Sequence, residues 1–285
     1  MNTPSRPRAT KIICTIGPAT DTSDMLGQLI EAGANVFRLN MSHSKHDWVR
    51  EVVFRIRRKA AELEANVAIL FDLQGPSIRT GDLAEPYHLK KGDTVEIRLG
   101  TAKPELPFST TVNYDGLLQD VQAGHTMVVD NGGILMRIAE VRPDRLICDV
   151  LTEGVFGSRR HINLPGVALR LPALTEKDLA DLAVAVECET DYVAMSFVRD
   201  AAHIAQLREH IDNLGGKAQI VAKIEDQQAV RHIDDIILAA DVIMVARGDL
   251  GIEVSIEELP IIQRRIVRHL SLIHISEPTR LRCIS

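Results

Sequence analysis

Three charged residues at the ends of two short apolar segments could carry chemistry in this chain. Lys223 and Glu225 close the segment IVAKIE, and Asp249 follows the segment VIMVA. Lys223 and Glu225 lie two positions apart, so their side chains share one face of a strand. Glu225 and Asp249 could converge on one divalent cation, which would act as a Lewis acid on a carboxylate or enolate oxygen beside the lysine. The alternative interpretation is a buried Lys223–Glu225 ion pair with a purely structural role.

The backbone next to Asp249 adds a possible anion site. Gly248 has no side chain, so a ligand can approach the backbone closely there. The N–H groups of Gly248 and Asp249 could together bind a carboxylate.

A second polar set follows two other apolar segments. Asn40 and Ser42 come after NVFRL, while Asp72 and the Leu73 carbonyl come after VAILF. Their hard oxygen atoms suit Mg²⁺, Ca²⁺ or a monovalent ion rather than zinc. The alternative is that Ser42 caps a helix and Asp72 forms a salt bridge.

Two arginines lie near these oxygen ligands in the sequence. Arg38 lies within NVFRL, and Arg79 lies in the loop that follows Gly75. Guanidinium groups match phosphate oxygens in a two-bond geometry. An ion pair between Arg38 and Asp72 is the alternative, and both roles are compatible because the carboxylate would orient the arginine.

Three further polar features are interpreted as ordinary surface structure. Asp130–Gly133 is typical of a hairpin turn. The pair Arg159–Arg160 is expected on a solvated loop, and His43 is expected to be a loop histidine with its hydrogen bonds satisfied.

The elements that must position these residues alternate between strands and helices. Short apolar segments rich in branched residues predict buried parallel strands. In a barrel of such strands, chemistry sits at their carboxyl ends. The predicted strands are Lys11–Ile16, Asn35–Leu39, Val67–Phe71, Tyr192–Phe197, Ile220–Asp226 and Val242–Gly251.

Helix signals lie between the predicted strands. Ser44 with Asp47, and Thr175 with Asp178, have the spacing of capping boxes. Apolar residues at helical spacing predict buried faces. The predicted helices are Ser23–Glu31, one with Trp48, Val52, Ile56, Ala60 and Leu63 on one face, one ending near Cys188, one with Ile204, Leu207, Ile211 and Leu214, Ala229–Ala240, and one starting near Pro260.

The helical period disappears between about Gly75 and Arg170. Short alternating segments separated by Gly, Pro, Asn and Asp predict an all-β insertion there. The clearest of these segments are Thr94–Leu99, Thr126–Val129, Leu135–Val141 and Leu146–Val150.

The predicted fold is therefore α/β: an incomplete (β/α)₈ TIM barrel of about six βα units, with an all-β barrel domain inserted after strand 3. A complete barrel needs roughly 250 residues, and fewer remain once the insertion is removed. We predict barrel segments over residues 1–74 and 171–270 and an inserted β-barrel lid domain over 75–170. The remaining segment, 271–285, begins inside a helical pattern with no helix stop before it. We predict a non-native junction there, the alternative being a poorly ordered natural terminus.

Composition narrows the functional classes. The chain has 285 residues, is 45% hydrophobic and 25% charged, and carries a net charge of −6. An acidic chain of this kind is not expected to bind nucleic acid or an anionic membrane surface. Its four cysteines are widely spaced without a CxxC motif, which predicts reduced thiols in a cytoplasmic protein. No segment approaches the roughly 20 apolar residues that cross a bilayer.

Six motifs of this chain, in the order in which they occur, closely resemble those of the pyruvate kinase family. The resemblance extends from about Thr10 to about Leu270. It implies a (β/α)₈ barrel with a β-barrel inserted after the third strand. It also implies phosphoryl transfer from phosphoenolpyruvate to ADP, which gives pyruvate and ATP in the final substrate-level phosphorylation step of glycolysis. The motifs are Lys11–Thr20, Ala32–His43, Asp72–Gly81, Asn163–Gly166, Ala222–Glu225 and Ile243–Gly251.

The resemblance implies two cation sites. Glu225 and Asp249 would hold Mg²⁺ or Mn²⁺. Potassium would be bound by oxygens of four residues: Asn40, Ser42, Asp72 and Leu73.

It also implies how the substrates are held. Arg38 and Lys223 would bind the transferring phosphoryl group, and Lys223 would stabilise the enolate oxygen. The N–H groups of Gly248 and Asp249 would bind the carboxylate of phosphoenolpyruvate or pyruvate. The nucleotide would be contacted by Asn40, His43, Arg79 and Arg160.

The chain departs from the family pattern at several points. Ser77 stands where members usually carry Glu, which accompanies potassium dependence, or Lys, which replaces the ion. Serine supplies neither charge, so we predict that the intact enzyme either requires potassium or is weakened. Nothing after Leu270 resembles the threonine-containing motif of the next strand, or the family's C-terminal domain. We therefore expect this chain to be inactive alone, whereas the intact enzyme is expected to be a homotetramer.

Two alternatives stay open at this point. One is a non-catalytic remnant that binds Mg²⁺ and phosphoenolpyruvate weakly. The other is a Mg²⁺-dependent barrel enzyme of aldolase type that acts on pyruvate enolate. The inserted β domain and the cluster Arg38–Ser42 argue against the aldolase.

Overall fold

The first part of the chain alternates strands and helices as predicted. The computed structural model describes residues 10–275. Branched and apolar residues form the strands, and α1 begins where the Thr22 side chain accepts a hydrogen bond from the Met25 N–H. The elements are β1 (Ile13–Ile16), α1 (Ser23–Glu31), β2 (Val36–Asn40), α2 (His46–Glu62) and β3 (Ala68–Asp72).

The capping box predicted at Ser44 and Asp47 is wrong. The residue that caps α2 is Lys45, whose side chain makes no capping hydrogen bond. The Ser44 hydroxyl instead donates to the Asn40 carbonyl at 2.8 Å. The hydroxyl therefore stabilises the loop after β2 rather than the start of the helix. Ser42 does not cap α2 either, which removes one structural alternative for that residue.

The middle of the chain is built almost entirely from strands. One antiparallel two-stranded sheet pairs β10 with β4, and a larger sheet has the order β11-β7-β8-β9-β5-β6. Four strands of the insertion, β5, β7, β8 and β9, were predicted from the sequence, and the other four were not. The elements are β4 (Tyr87–Leu89), β5 (Thr94–Arg98), β6 (Phe108–Thr111), α3 (Leu117–Asp120), β7 (Thr126–Val129), β8 (Ile134–Val141), β9 (Arg145–Val150), β10 (Gly154–Phe156) and β11 (Ile162–Asn163).

The βα alternation resumes after this insertion. The helix predicted over Ala229–Ala240 is two shorter helices, and a further short helix, α8, forms where only a strand end was predicted. The elements are α4 (Glu176–Glu187), β12 (Tyr192–Met195), α5 (Ala201–Asn213), β13 (Gln219–Ile224), α6 (Gln227–Arg231), α7 (Ile233–Ala239), β14 (Val242–Val245), α8 (Arg247–Glu253) and α9 (Leu259–Ile275).

Two expectations about helix ends in this part have different outcomes. Leu214 was placed on the buried face of α5, but it is the residue that caps the C-terminus and is 47% exposed. Helix α9 continues to Ile275, so the first five residues of the predicted tail 271–285 extend a helix. The rest of that tail lies outside the described residues, and the predicted domain boundaries stay predictions.

The capping box predicted at Thr175 is confirmed. The Asp178 N–H donates to Thr175 Oγ1 at 3.1 Å, and the Thr175 N–H donates to Asp178 Oδ2 at 2.8 Å. The other carboxylate oxygen of Asp178 accepts the Gly75 N–H at 3.0 Å. One buried carboxylate therefore ties the start of α4 to the point where the chain leaves β3.

Six parallel strands form one sheet in the order β1-β2-β3-β12-β13-β14. Strands β3 and β12 are neighbours although the whole insertion separates them, with Leu70 opposite Tyr192 and Asp72 opposite Ala194. Within residues 10–275, β1 and β14 pair with no strand on their outer sides. The six-unit, incomplete barrel predicted from the sequence is confirmed, and the carboxyl ends of all six strands lie along one edge.

Two hydrophobic cores support these sheets. The larger one packs helices against the parallel sheet, and the other fills the inserted β structure. The opposite face of the parallel sheet carries a small cluster of Leu70, Ala194 and Val221. Packing on these cores holds the strand ends in place, and polar side chains can be positioned there.

No helix within residues 10–275 is both long and apolar enough to span a membrane.

Candidate active site at the carboxyl edge of the parallel sheet

A polar cavity of about 430 Å³ lies at the carboxyl edge of the parallel sheet, where the inserted segment reaches over it. Every site residue predicted from the sequence lines this cavity except Gly248. The predicted residues in its wall are Arg38, Asn40, Ser42, His43, Asp72, Leu73, Arg79, Arg160, Lys223, Glu225 and Asp249.

Lys223 is at the centre of a buried charge cluster in this cavity. Its Nζ atom lies 2.8 Å from Glu225 Oε1 and 3.3 Å from Asp72 Oδ1. It also donates to Ser196 Oγ at 2.8 Å. Burial alone would lower the pKa of Lys223, but Glu225 and Asp72 raise it above its usual value. The lysine therefore presents a fixed positive charge.

Arg38 is anchored on Asp72 from the neighbouring strand. Its Nε and Nη2 atoms lie 2.7 and 2.6 Å from Asp72 Oδ2, and Nη1 donates to Thr15 Oγ1 at 2.8 Å. The side chain keeps 26% of its surface exposed. The ion pair considered as an alternative is therefore present, and it holds the guanidinium at the cavity wall.

Glu225 and Asp249 present two carboxylates to the same cavity. Glu225 Oε2 accepts the Phe197 N–H at 2.7 Å, while Oε1 contacts Lys223. Burial raises the pKa of Glu225, the field of Asp249 adds to this rise, and Lys223 opposes it. A cation bound between the two carboxylates would offset the cost of burying their negative charge. Two carboxylates with open space beside them fit Mg²⁺, which usually keeps several water ligands.

No group of three or more His, Cys, Asp or Glu side chains in residues 10–275 has a metal-binding arrangement. Two carboxylates alone do not fill the octahedral shell of Mg²⁺, so substrate and water oxygens would occupy its remaining positions.

Gly248 and Asp249 lie in the first turn of α8, which begins after Ala246. The first helical hydrogen bond is donated by the Leu250 N–H to the Ala246 carbonyl at 2.9 Å. The N–H groups of the preceding turn therefore have no acceptor inside the helix. Gly248 itself is exposed and does not line the cavity, so the structure brings only the Asp249 half of this predicted pair to it.

The four residues predicted to bind potassium lie together in the cavity wall, and the oxygens of three of them have a protein donor nearby. Asn40 Oδ1 accepts the Ser42 N–H at 3.1 Å. The Leu73 carbonyl accepts the Ser196 hydroxyl at 2.8 Å, and Asp72 is shared between Arg38 and Lys223. Carbonyl and carboxylate oxygens have further lone pairs beyond these bonds, so the donor set fits a hard cation.

The inserted segment contributes two arginines to the opposite wall. Arg79 Nε donates to Ser77 Oγ at 3.2 Å, and Arg160 Nη1 lies 3.2 Å from Asp130 Oδ1. The Arg160 Nε atom is buried without a hydrogen-bond partner. Arg160 is solvated as expected, with 43% of its side chain exposed, but it also lines the cavity. Its neighbour Arg159 is exposed and holds Asp82 at 2.7 and 2.9 Å.

Sequence reasoning missed two residues of this site. The Ser196 hydroxyl connects Lys223 to the Leu73 carbonyl. Phe197, which donates its N–H to Glu225, has a positive φ of 55°, an uncommon conformation for a bulky residue. Both follow β12 at the carboxyl edge of the sheet. The signal that selected Asp72, a polar residue at a strand end, could have marked the position of Ser196, but Phe197 carries no such signal.

The fold and this site define a class of protein: a barrel-type α/β chain with an inserted β segment and a charged cavity at the carboxyl ends of its strands. The chain belongs to the pyruvate kinase family, because the model of the pyruvate kinase barrel domain matches residues 7–275.

Individual relatives agree with this assignment. The chain is 40% identical over 267 residues to plastidial pyruvate kinase 2 of Arabidopsis thaliana. The aligned region covers 93% of this chain and 46% of the relative. It is 38% identical over 262 residues to a pyruvate kinase of Mycobacterium tuberculosis, and the aligned region covers 92% of this chain and 55% of that relative. A pyruvate kinase of Clostridium perfringens is 39% identical over 261 residues, with coverage of 91% and 55%. The chain thus spans about half the length of the curated relatives it matches.

Proposed function

We propose that the protein to which this chain contributes transfers a phosphoryl group from phosphoenolpyruvate to ADP and produces pyruvate and ATP. The observation that carries the proposal is the cluster of Arg38, Lys223, Glu225 and Asp72 in one cavity of a pyruvate kinase family chain. Phosphoryl transfer depends mainly on positioning and on neutralising charge, which fixed cations of this kind supply.

Arg38 and Lys223 act on the reacting groups. The guanidinium of Arg38, oriented by Asp72, binds oxygens of the phosphoryl group. The bond from phosphorus to the enol oxygen breaks as an oxygen of the ADP β-phosphate bonds to phosphorus. The Lys223 ammonium stabilises the negative charge left on the enolate oxygen, and the enolate then takes up a proton on carbon to give pyruvate.

Two cations support this step. Glu225 and Asp249 would hold Mg²⁺ or Mn²⁺, which supplies charge neutralisation at the phosphates and the carboxylate. The oxygens of Asn40, Ser42 and Asp72, with the Leu73 carbonyl, would hold potassium. Because Ser77 offers no positive charge in its place, potassium is required. Replacing it with tetramethylammonium should abolish turnover by the full-length protein, and an unchanged rate would contradict this role.

The remaining polar groups bind the rest of the substrates. From the inserted segment, Arg79 contacts the nucleotide and Arg160, whose side chain is 43% exposed, reaches its phosphates. Asn40 and His43 contact the nucleotide from the barrel side. The Asp249 N–H, in the first turn of α8, binds the substrate carboxylate.

The chain alone is expected to bind without turnover. Within residues 10–275, the outer edges of β1 and β14 have no partner strand, so the cavity is open on one side. We place the full-length protein in the cytoplasm as a homotetramer. The widely spaced thiols, three of which are free in the described part of the chain, support a reducing compartment.

A binding experiment tests the proposal on the chain itself. Phosphoenolpyruvate is titrated calorimetrically in the presence of Mn²⁺ into the chain, its Lys223→Met variant, and Lys103→Met as a control. Lys103 is an exposed lysine outside the cavity. We expect binding to the parent and to Lys103→Met with equal affinity. Affinity for Lys223→Met should be at least tenfold lower, since the fixed cation is lost.

Two outcomes would count against the proposal. Equal affinity for Lys223→Met would remove the lysine from the substrate site, and no binding to the parent would contradict the site as a whole. Lactate formation coupled to pyruvate release is the second readout. Turnover by the 285-residue chain would overturn the expectation that it is inactive alone.

A further inference from the structure

A second cavity, of about 310 Å³, adjoins the first one. It lies between α6, α8 and the returning end of the inserted segment, residues 162–171. Three residues, His161, Phe197 and Glu225, line both cavities. Its volume is at the small end of the range for ligand sites, which runs from roughly 300 to 1,000 Å³. Its apolar wall is formed by Ile78, Ile162, Leu164, Val167, Leu169 and Leu171.

The carboxyl group of Glu253 faces this cavity without a cation. Within residues 10–275 its only hydrogen bond is with Asn163 Nδ2, at 3.3 Å, and it forms no ion pair. Burial, and then the charge of Asp226, raise the pKa of Glu253 to about 7. A partly buried carboxylate is normally paired, because losing its hydration costs free energy. An unpaired one in a cavity wall is therefore a candidate ligand contact.

The nearest basic groups in the same wall have other partners. The Arg199 guanidinium donates to the Leu169 carbonyl at 3.0 Å and to the Leu171 carbonyl. His232 contacts the Arg199 carbonyl through Nδ1 at 3.0 Å. Burial lowers the pKa of His161, as does Arg79 beside it, so this imidazole is neutral near pH 7.

Within residues 10–275, the other charged groups of the wall also form no ion pair with Glu253. Asp226 caps α6 by accepting the Ala229 N–H at 2.7 Å, and Glu225 is held by Lys223. Arg231 is exposed, with its guanidinium 3.5 Å from Gln227 Oε1.

Two acceptors in the polar wall lack a full set of partners, the Glu253 carboxylate and the Asn163 amide oxygen. Asn163 is 7% exposed, and its Oδ1 atom is buried with no hydrogen-bond partner. Together with the Glu253 carboxylate, this side chain favours a ligand that donates hydrogen bonds and carries positive charge.

We propose that the second cavity binds a small organic cation, a primary ammonium with a branched apolar group. The ammonium pairs with Glu253, and the hydrocarbon part packs against the apolar side chains of residues 162–171. This site lies beyond the proposed phosphoryl-transfer cavity and does not depend on that function.

Three probes with the same hydrocarbon skeleton test the charge requirement. These are isopentylammonium, isopentanol and 3-methylbutanoate, and their binding to the chain is measured by saturation-transfer NMR at pH 8. Isopentylammonium should bind at least tenfold more tightly than the other two. Equal or tighter binding of the alcohol or the acid would overturn the proposal.

Two substitutions and one control locate the site. Glu253→Gln should weaken isopentylammonium binding at least tenfold, since the amide carries no charge. Glu153→Gln, at an exposed glutamate of the insertion, should leave it unchanged. Val167→Trp should block the ammonium and the alcohol alike by filling the cavity. Parent affinity in Glu253→Gln or Val167→Trp, with an unchanged circular dichroism spectrum, would place the probe elsewhere.

The pH dependence provides an independent check. Protonation of Glu253 removes the charge that the ammonium pairs with, so parent affinity should fall at least fivefold from pH 8 to pH 5.5. The affinity of Glu253→Gln should not change over this range. A parent affinity that is constant with pH would contradict the pairing.

Discussion

Glu96 in the inserted sheet and Glu225 in the parallel sheet are both buried glutamates that pair with a basic side chain, but their surroundings differ. Glu96 is 0% exposed and contacts Arg145 Nη1 at 2.8 Å. Its Oε1 atom also accepts the N–H groups of Glu105 and Leu106, at 2.7 and 3.2 Å. Burial alone would raise the pKa of Glu96, but these bonds and one from Ser109 lower it.

Glu225 has the opposite balance. It has one lysine, one backbone N–H and an open cavity beside it, and burial raises its pKa. The number of donors around a buried carboxylate, and not its burial, separates the two cases. A saturated carboxylate holds the fold together, whereas an unsaturated one beside a cavity is available to a cation.

The largest effect is expected at the saturated site. Glu96→Gln removes the one fully buried charge partner of Arg145, which keeps only the exposed carboxylates of Asp144 and Glu105. The inserted sheet should therefore lose about 3 kcal/mol of unfolding free energy. Hydrogen exchange of β5 and β9 measures this. Asp149→Asn is the matched control. Asp149 Oδ2 lies 3.5 Å from Nη2 of the exposed Arg137, and exposed ion pairs contribute little to stability. Equal losses in the two variants would show that saturation of Glu96 is not what stabilises the sheet.

A smaller, pH-dependent effect is expected at Glu253, which has no cation partner. Its folded pKa of about 7 lies above the ordinary value of 4.5, so the folded state favours the protonated form. The stability gained from this proton is present at low pH and is lost as the pH rises through 7. Glu253→Gln should therefore raise the unfolding free energy by about 1–3 kcal/mol at pH 8 and change it little at pH 4. Thermal melts at both pH values measure this, and equal shifts at both would contradict it.

The smallest effect on stability is expected at the unsaturated site. In Glu225→Gln, Lys223 keeps Asp72 and Ser196 as partners, so the loss should stay below about 1 kcal/mol. Mn²⁺ affinity, measured by electron paramagnetic resonance, should nevertheless fall at least tenfold. If Glu225→Gln destabilised the chain as much as Glu96→Gln, the contrast between the two glutamates would be wrong.

Much of the parallel sheet could be predicted from local patterns. Each strand is a short apolar segment that ends in a polar residue, and this one signal located Asp72, Lys223 and Glu225 at the edge of the sheet. The capping box at Thr175 was also predictable, because its bonds involve residues only three positions apart.

Other features depend on contacts distant in sequence. The Ser44 hydroxyl donates to the Asn40 carbonyl, so the same capping-box spacing did not predict a cap there. The Ser196 hydroxyl gained its role from Leu73 and Lys223, which belong to two other strand ends. The second cavity combines the end of the insertion with α6 and α8, so no local pattern could have indicated it.

The pairing of β3 with β12 also has a consequence for how the chain folds. Leu70 and Tyr192 are opposite each other although about 120 residues separate them. Closing so long a loop costs about 1.4 kcal/mol more than closing one of about 25 residues, because the entropy grows only with the logarithm of length. Early folding of the inserted sheet would shorten this loop by bringing Arg79 beside His161. We therefore expect the insertion to impose a small thermodynamic cost and a kinetic order, in which its own strands pair before the parallel sheet is joined across it. Pulsed hydrogen exchange that showed β3 and β12 protected before β8 and β9 would contradict this order.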